Sequence, residues 1–348
     1  MRRLASSVLL AFGLAACSHD EGPSQFNPDG TSADLASAQV AFDSPVAASF
    51  DAAGAQISGM LGGAAPVVMS PATALLHPAT ARGYAASVAR LLPRTGHGLS
   101  ASVVAIPSTA LGVTFAWDAD NDVYVASDVP GAPANGVRFL LYAVNPVTHQ
   151  PAEPLDELGY VEVTDVSSGA VLGTRVVVVA EDVTYLDYTV SGNGTSSSGT
   201  ITVSGLASNG TTRANYTLQT SIAQTSNGML LTLDYTLKIP SRGFTVNYTA
   251  TFGNISPQQV AVTLDFSVSG RNGAVTVSGT YGASGGTFTV KVNGSIFATV
   301  VLGTSGDPVI TGASGEPLTP TEEAALQSVL DFYDGSLSVF DNLLAPVS

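Results

Sequence analysis

From about residue 99 to residue 302, apolar and polar residues alternate with a period of two. That is the pattern of strands that bury one face and expose the other. Six Asn-Gly dipeptides punctuate the chain: Asn135-Gly136, Asn193-Gly194, Asn209-Gly210, Asn227-Gly228, Asn272-Gly273 and Asn293-Gly294. Both residues tolerate the positive φ of a two-residue type I′ turn, so each dipeptide predicts a hairpin. Together they predict an antiparallel meander.

Turn positions also predict registers. A two-residue turn at Asn209-Gly210 sets Val203 opposite Tyr216. One at Asn272-Gly273 sets Val268 opposite Val277 and Leu264 opposite Tyr281. A turn at Ser241-Arg242 pairs Tyr235 with Tyr248, and one centred on Pro257 pairs Tyr248 with Phe266. Apolar meets apolar throughout, as a buried face requires. A short motif recurs at Asp187-Tyr188-Thr189, Asn215-Tyr216-Thr217, Asp234-Tyr235-Thr236 and Asn247-Tyr248-Thr249, with Asp265-Phe266-Ser267 as a variant. Its spacing is irregular, which excludes a solenoid. It predicts a cross-sheet aromatic row on one face, with Asp/Asn and Thr/Ser on the other.

Helical signals flank the strands. Residues 34–98 are Ala-rich, with one helix predicted within 34–62, interrupted by Pro45, Gly54 and Gly59, and another over 79–92, ended by Pro93. Near the C-terminus, Thr319-Pro320-Thr321-Glu322 forms a capping box. Leu326, Leu330, Tyr333, Leu337, Phe340 and Leu344 follow at spacings of three and four, an apolar stripe suited to a sheet. The predicted fold is α+β and predominantly β: a long, curved antiparallel meander over 99–302, with N-terminal helices on one face and, over 303–348, a loop and a C-terminal amphipathic helix packed on the same face.

That face is wide. Eight strands over 183–302, at ~4.8 Å each, span about 38 Å. One helix is about 10–12 Å across and covers roughly a third of it. Curling, the N-terminal helices, a ligand or a partner must shield the rest, because apolar patches of that size are rare on soluble monomers.

Composition narrows the partners. Arg2 and Arg3 precede a mostly apolar run from Leu4 to Ala16, which is too short to span a bilayer and has the layout of a secretory signal. The run ends in Leu14-Ala15-Ala16-Cys17, which holds the chain's one cysteine. These residues resemble the bacterial lipoprotein signal, whose lipobox cysteine is acylated and becomes the new N-terminus. The resemblance implies a signal peptide over 1–16, lipidation (palmitate included) at Cys17, and a tether over 17–33. Ser18, rather than Asp, follows Cys17, which in that family implies the outer membrane. As a random coil, residues 18–33 reach about 20–25 Å. Loss of Arg2 and Arg3 leaves 10 basic residues against 27 acidic, a formal charge of −17. The basic residues are scattered, which argues against nucleic acid and anionic headgroups as partners. The implied membrane contact is the lipid itself.

Motifs for chemistry are sparse. Gly282-Ala283-Ser284-Gly285-Gly286 fits G-x-S-x-G, but strands flank it on both sides and no His follows His149, so a hairpin loop is expected. Asp118, Asp120 and Asp122 begin like a calcium loop. Val123 and Val129 stand where an EF-hand needs Gly and Glu, so a turn is expected, with an irregular calcium site as the alternative. His19, His77, His97 and His149 lack ligand spacing. Residues 145–158 form a long polar loop holding His149, Glu153, Asp156 and Glu157, either functional or a Pro-rigidified crossover. No catalytic constellation and no cofactor motif emerges. Tyr188, Tyr216, Tyr235, Tyr248 and Phe266 are either core or the lining of a groove for an apolar or sugar ligand.

Three readings follow. The first is a non-catalytic envelope lipoprotein that shelters an apolar ligand or hydrophobic segment. In architecture it resembles the half-barrel LolA/LolB-like and LppX-like lipoproteins. The second is a structural or adhesive surface module on a lipid tether. The third is a transmembrane β-barrel, which strands of about ten alternating residues also suit.

Overall fold

A computed structural model of the chain describes residues 33, 36, 44–61 and 106–327, except 196, 227, 257, 258, 272, 283, 305–307, 321 and 325. Cys17, the tether, the helix expected over 79–92 and the apolar stripe beyond Leu326 lie outside these residues.

The described chain is predominantly β. Fifteen strands, β1 (Thr114–Asp118), β2 (Val123–Ser127), β3 (Gly136–Tyr142), β4 (Glu157–Asp165), β5 (Leu172–Ala180), β6 (Val183–Gly194), β7 (Ser198–Ser208), β8 (Arg213–Thr225), β9 (Gly228–Ile239), β10 (Phe244–Ser256), β11 (Gln259–Gly270), β12 (Gly273–Gly282), β13 (Gly285–Val292), β14 (Ser295–Leu302) and β15 (Val309–Gly312), form one sheet. Their order is β15-β14-β13-β12-β11-β10-β9-β8-β7-β6-β5-β4-β3-β1-β2. Nine of them, β6 to β14, fill the region where eight were expected. From β3 (Gly136–Tyr142) onward, each strand pairs antiparallel with the next.

One joint departs from the expected meander. The hairpin of β1 and β2 (Val123–Ser127) inserts so that β1 lies parallel to β3. The connection from β2 to β3 carries Pro130, Gly131 and Pro133, so no tight hairpin forms there. It crosses β1 instead, and Gly112 N–H and Val113 C=O bond β3 at Gly136 and Arg138.

Two predicted registers hold: Tyr235 faces Tyr248, and Tyr248 faces Phe266. Two are corrected. Residues 209–212 make a four-residue turn, with Ser208 opposite Arg213, so Val203 meets Leu218 rather than Tyr216. Asn209 Oδ1 stabilises that turn by accepting from Thr211 N–H and Thr212 N–H. In β11–β12, Gly270 faces Gly273, so Val268 meets Val275 and Leu264 meets Gly279. Only the register differs, because shifting a pairing by two residues keeps every side chain on its face. Among the Asn-Gly pairs, Asn293-Gly294 is a central two-residue turn, with φ of 49° and 85° and Val292 opposite Ser295.

The aromatic row is therefore two rows. Tyr235, Tyr248 and Phe266 are contiguous across β9–β11 (Gly228–Ile239, Phe244–Ser256, Gln259–Gly270). Tyr188 and Tyr216 sit one row away, flanking Gly205 of β7 (Ser198–Ser208). The opposite face carries continuous polar rows. One passes through Ser191, Thr202, Gln219, Asp234, Thr249, Asp265, Ser278, Thr289, Thr299 and Thr311. Neighbours along such rows bond directly: Thr249 Oγ1 donates to Asp234 Oδ1 at 2.9 Å, and Thr236 Oγ1 to Asn247 Oδ1 at 3.2 Å.

Helix α1 (Pro45–Met60) packs on β3–β6. Val46, Phe50, Ala53, Ile57 and Leu61 form its buried stripe, at spacings of three and four. Pro45 does not interrupt this helix, as its sequence suggested. It occupies the first turn, and Ser44 caps the end by accepting from Ala47 N–H at 3.0 Å. Gly54 and Gly59 are absorbed within it. At the other end of the chain the expected capping box is formed. Thr319 N–H donates to Glu322 Oε2 at 2.7 Å, Glu322 N–H donates to Thr319 Oγ1 at 3.4 Å, and Leu326 is buried.

Gly205 shows how tightly the aromatic rows are set. A Cβ there would stand 2.2 Å from the Asp187 carbonyl oxygen and 2.5 Å from Tyr188 Cα. Gly205→Ala is expected to lower stability by about 1–3 kcal/mol. At Gly282, where nothing lies within 4 Å, the same change should stay within about 0.5 kcal/mol. Urea midpoints of the two variants check this.

Candidate functional site

Two places combine burial with polar chemistry. The first is the aromatic face. Tyr188, Tyr216, Tyr235, Tyr248 and Phe266 are all within 1–4% of full burial. Strand alternation puts them there, since every second residue of β6 and β8–β11 points inward. Burial pushes the phenol pKa of Tyr188, Tyr216 and Tyr235 well above the ordinary range. Such hydroxyls stay neutral and can take part only in hydrogen bonding. These five residues share a face, as their sequence predicted, although not one straight row.

The outward face of the same strands is mostly Thr, Ser, Asn, Asp and Gln, and most of the apolar side chains lie inside. A transmembrane barrel needs the reverse, an apolar band facing lipid. The distribution across β6–β13 is that of a sheet whose outer face meets water.

The second place is the β1–β3 end under α1. Phe115 stacks on Phe139 at 5.0 Å between ring centres, and Tyr124 meets both Trp117 (5.4 Å) and Phe139 (5.5 Å) edge-on. Tyr124 OH donates to the Leu140 carbonyl at 2.8 Å, and burial raises its pKa. Ser49 Oγ of α1 donates to the Tyr142 carbonyl at 2.7 Å. Between these groups lies a cavity of about 20 Å³, lined by residues that include Gln56, Trp117, Tyr142 and His149. That is room for about one water, so it is no ligand pocket.

His149 reaches this cleft because residues 145–150 fold back on themselves. Asn145 N–H donates to the Gln150 carbonyl, His149 N–H donates to the Asn145 carbonyl, and Asn145 Oδ1 accepts from Val147 N–H at 2.9 Å. The polar loop is thus an ordered excursion between β3 and β4 (Glu157–Asp165). The sequence did not nominate Ser49, Gln56, Phe115, Trp117, Tyr124 or Phe139. Alternation puts Phe115 and Trp117 on one face, but their joining to Phe139 depends on the parallel β1–β3 pairing.

The remaining candidates lie at turns. Asp118 accepts from Asp120 N–H (3.0 Å), Asn121 N–H (3.3 Å) and Asn121 Nδ2 (2.8 Å). The bond from the Asn121 side chain leads in lowering its pKa. It closes the β1–β2 turn, and among the described residues no group of three or more His, Cys, Asp or Glu is placed to hold a metal. Ser284 lies in the turn between Gly282 and Gly285, which face each other across β12–β13. Strands border it on both sides, unlike a nucleophile elbow. Two ion pairs lie on the outer face. Arg175 forks onto Asp187 with two bonds of 2.8 Å, and Arg138 bridges to Glu162 with its guanidinium 4.0 Å from the Tyr160 ring centre.

No family model, curated protein or solved structure matches the chain.

The buried phenols couple stability to pH. A folded-state pKa above the ordinary 10.0 favours the protonated, folded form. Their contribution is therefore fully present below pH 10 and is lost as pH rises above it. Tyr188→Phe and Tyr235→Phe should flatten that alkaline decline, which denaturation at neutral and alkaline pH measures. Equal slopes in variant and parent would show that these phenols ionise freely in the folded state.

Proposed function

We propose that the protein is an outer-membrane lipoprotein, anchored through acylated Cys17, whose aromatic sheet face shelters an apolar ligand or a hydrophobic protein segment. The role is binding, without catalysis. One observation carries this reading: apolar rows are buried across nine strands, of which the described helix packs on only the first. Apolar rows cross from β6 to β14, about 43 Å at ~4.8 Å per strand. Helix α1 packs on β3–β6, and a helix covers only about 10–12 Å. The tyrosines add flat apolar area with a hydroxyl at the tip, which suits a ligand that is apolar along most of its length.

A second reading, a structural or adhesive module on the same anchor, is favoured by the depth of burial. At 1–4% exposure the five aromatics are packed as a core, and a ligand would have to displace what covers them. The polar outer rows would then meet the partner.

Two measurements test the proposal. Cys17→Ser should abolish palmitate labelling and release the chain from the membrane fraction. Retention of both would overturn the anchor. Mass spectrometry of an organic extract of the Cys17→Ser protein should find a co-purifying apolar molecule, and a hydrophobic dye should bind saturably. An empty extract together with no dye binding would overturn the sheltering role and leave the module reading.

A further inference from the structure

The outer edge of β2 is closed by a side chain where a strand could lie. Val123, Val125 and Ser127 turn their backbone groups to β1, so the residues between them turn theirs outward. On that outward side Tyr124 N–H donates to Gln56 Oε1 at 3.2 Å, and Gln56 Nε2 donates to the Asp122 carbonyl at 3.0 Å. The carboxamide thus takes the donor and acceptor that one residue of a parallel neighbouring strand would take. Gln56 reaches the edge because α1 is fastened at the same end of the sheet by Ser49 on the Tyr142 carbonyl.

Among the described residues, nothing pairs with the rest of this edge. Ala126 follows Tyr124 on the outward side, and among the described residues its N–H and C=O there meet no partner. Strand β2 holds no Lys, Pro or bulge, the usual devices that blunt an edge. Val123 and Val125 stand 42% and 41% exposed on its solvent face. Both ends of the strand are acidic, with Asp122 and Asp128 exposed.

Those carboxylates select the occupant. In an antiparallel pair of two β2 strands centred on Val125, Asp122 of each copy would face Asp128 of the other. Like charges directly opposite each other oppose such pairing. A strand with basic residues at its ends would meet carboxylates at both. We propose that the β2 edge is a strand-addition site for an extended peptide segment, apolar at alternate positions and basic at both ends, and that Gln56 holds the site shut at Tyr124. Main-chain hydrogen bonds would supply affinity and the flanking charges selectivity.

The test uses the full mature chain in detergent and a synthetic peptide of alternating Val and Thr with Lys at both ends. Gln56→Ala should bind this peptide about thirtyfold more tightly than the parent, the effect of removing two competing hydrogen bonds of ordinary net strength. A peptide with Glu at both ends should not bind, and added salt should weaken the Lys peptide. Ala126→Pro removes an outward N–H from an edge strand, which the fold tolerates, and should abolish binding. In the parent, Tyr124 N–H should exchange about tenfold more slowly than in Gln56→Ala. Gln56→Met repeats the comparison if the alanine variant fails to fold. Absence of binding to parent and Gln56 variants alike, or binding unchanged by Ala126→Pro, would overturn the proposal. Self-association of Gln56→Ala without peptide would also overturn it, making a second copy the occupant.

Discussion

The structure depends on the phase of a two-residue alternation held across successive strands. A strand offset by one residue against its neighbour would turn its whole apolar set to the solvent face. From β6 to β13 this does not happen. Val190, Val203, Leu218, Tyr235, Tyr248, Phe266, Val277 and Val290 meet edge to edge on one side, while Thr, Ser, Asn and Asp meet on the other. With one cysteine in the chain there is no internal disulfide to impose this order. Apolar burial and backbone pairing must impose it.

The alternation was legible because it is local, and the face assignment of every site aromatic followed from it. Registers were legible only where the turn was. Pro240–Arg242 forms a 3₁₀ turn closed by Gly243 at φ 63°, centred where Ser241-Arg242 placed it. At Asn209 and Asn272 the dipeptide misled, because glycine is not confined to the turn centre. Gly273 opens its strand at φ 121°, and Gly210 sits in a four-residue turn held by the Asn209 side chain. Each error moved the pairing by two residues and so left the faces intact.

Long-range features were not legible. The parallel β1–β3 joint arises from a crossing between Ser127 and Gly136, and nothing in the alternation of β1 names its second neighbour. The role of Gln56 depends on α1 lying over the end of β2, and Ala-rich α1 gives little hint of its docking. Pro45 illustrates a subtler ambiguity. The same residue breaks a helix from within and starts one from its first turn, and only Ser44 before it decides between them. The site thus divides: its aromatic rows follow from periodicity, and the cluster of Phe115, Trp117, Tyr124 and Phe139 follows from topology.

Phase across the sheet can be read residue by residue. In a Cys17→Ser background the chain has no other cysteine, so single cysteines can be placed along β10 at positions 246 to 251 and challenged with a maleimide. A phase held across the sheet predicts fast labelling at Asn247, Thr249 and Thr251, and protection at Val246, Tyr248 and Ala250. Uniform labelling, or labelling with the opposite phase, would contradict it.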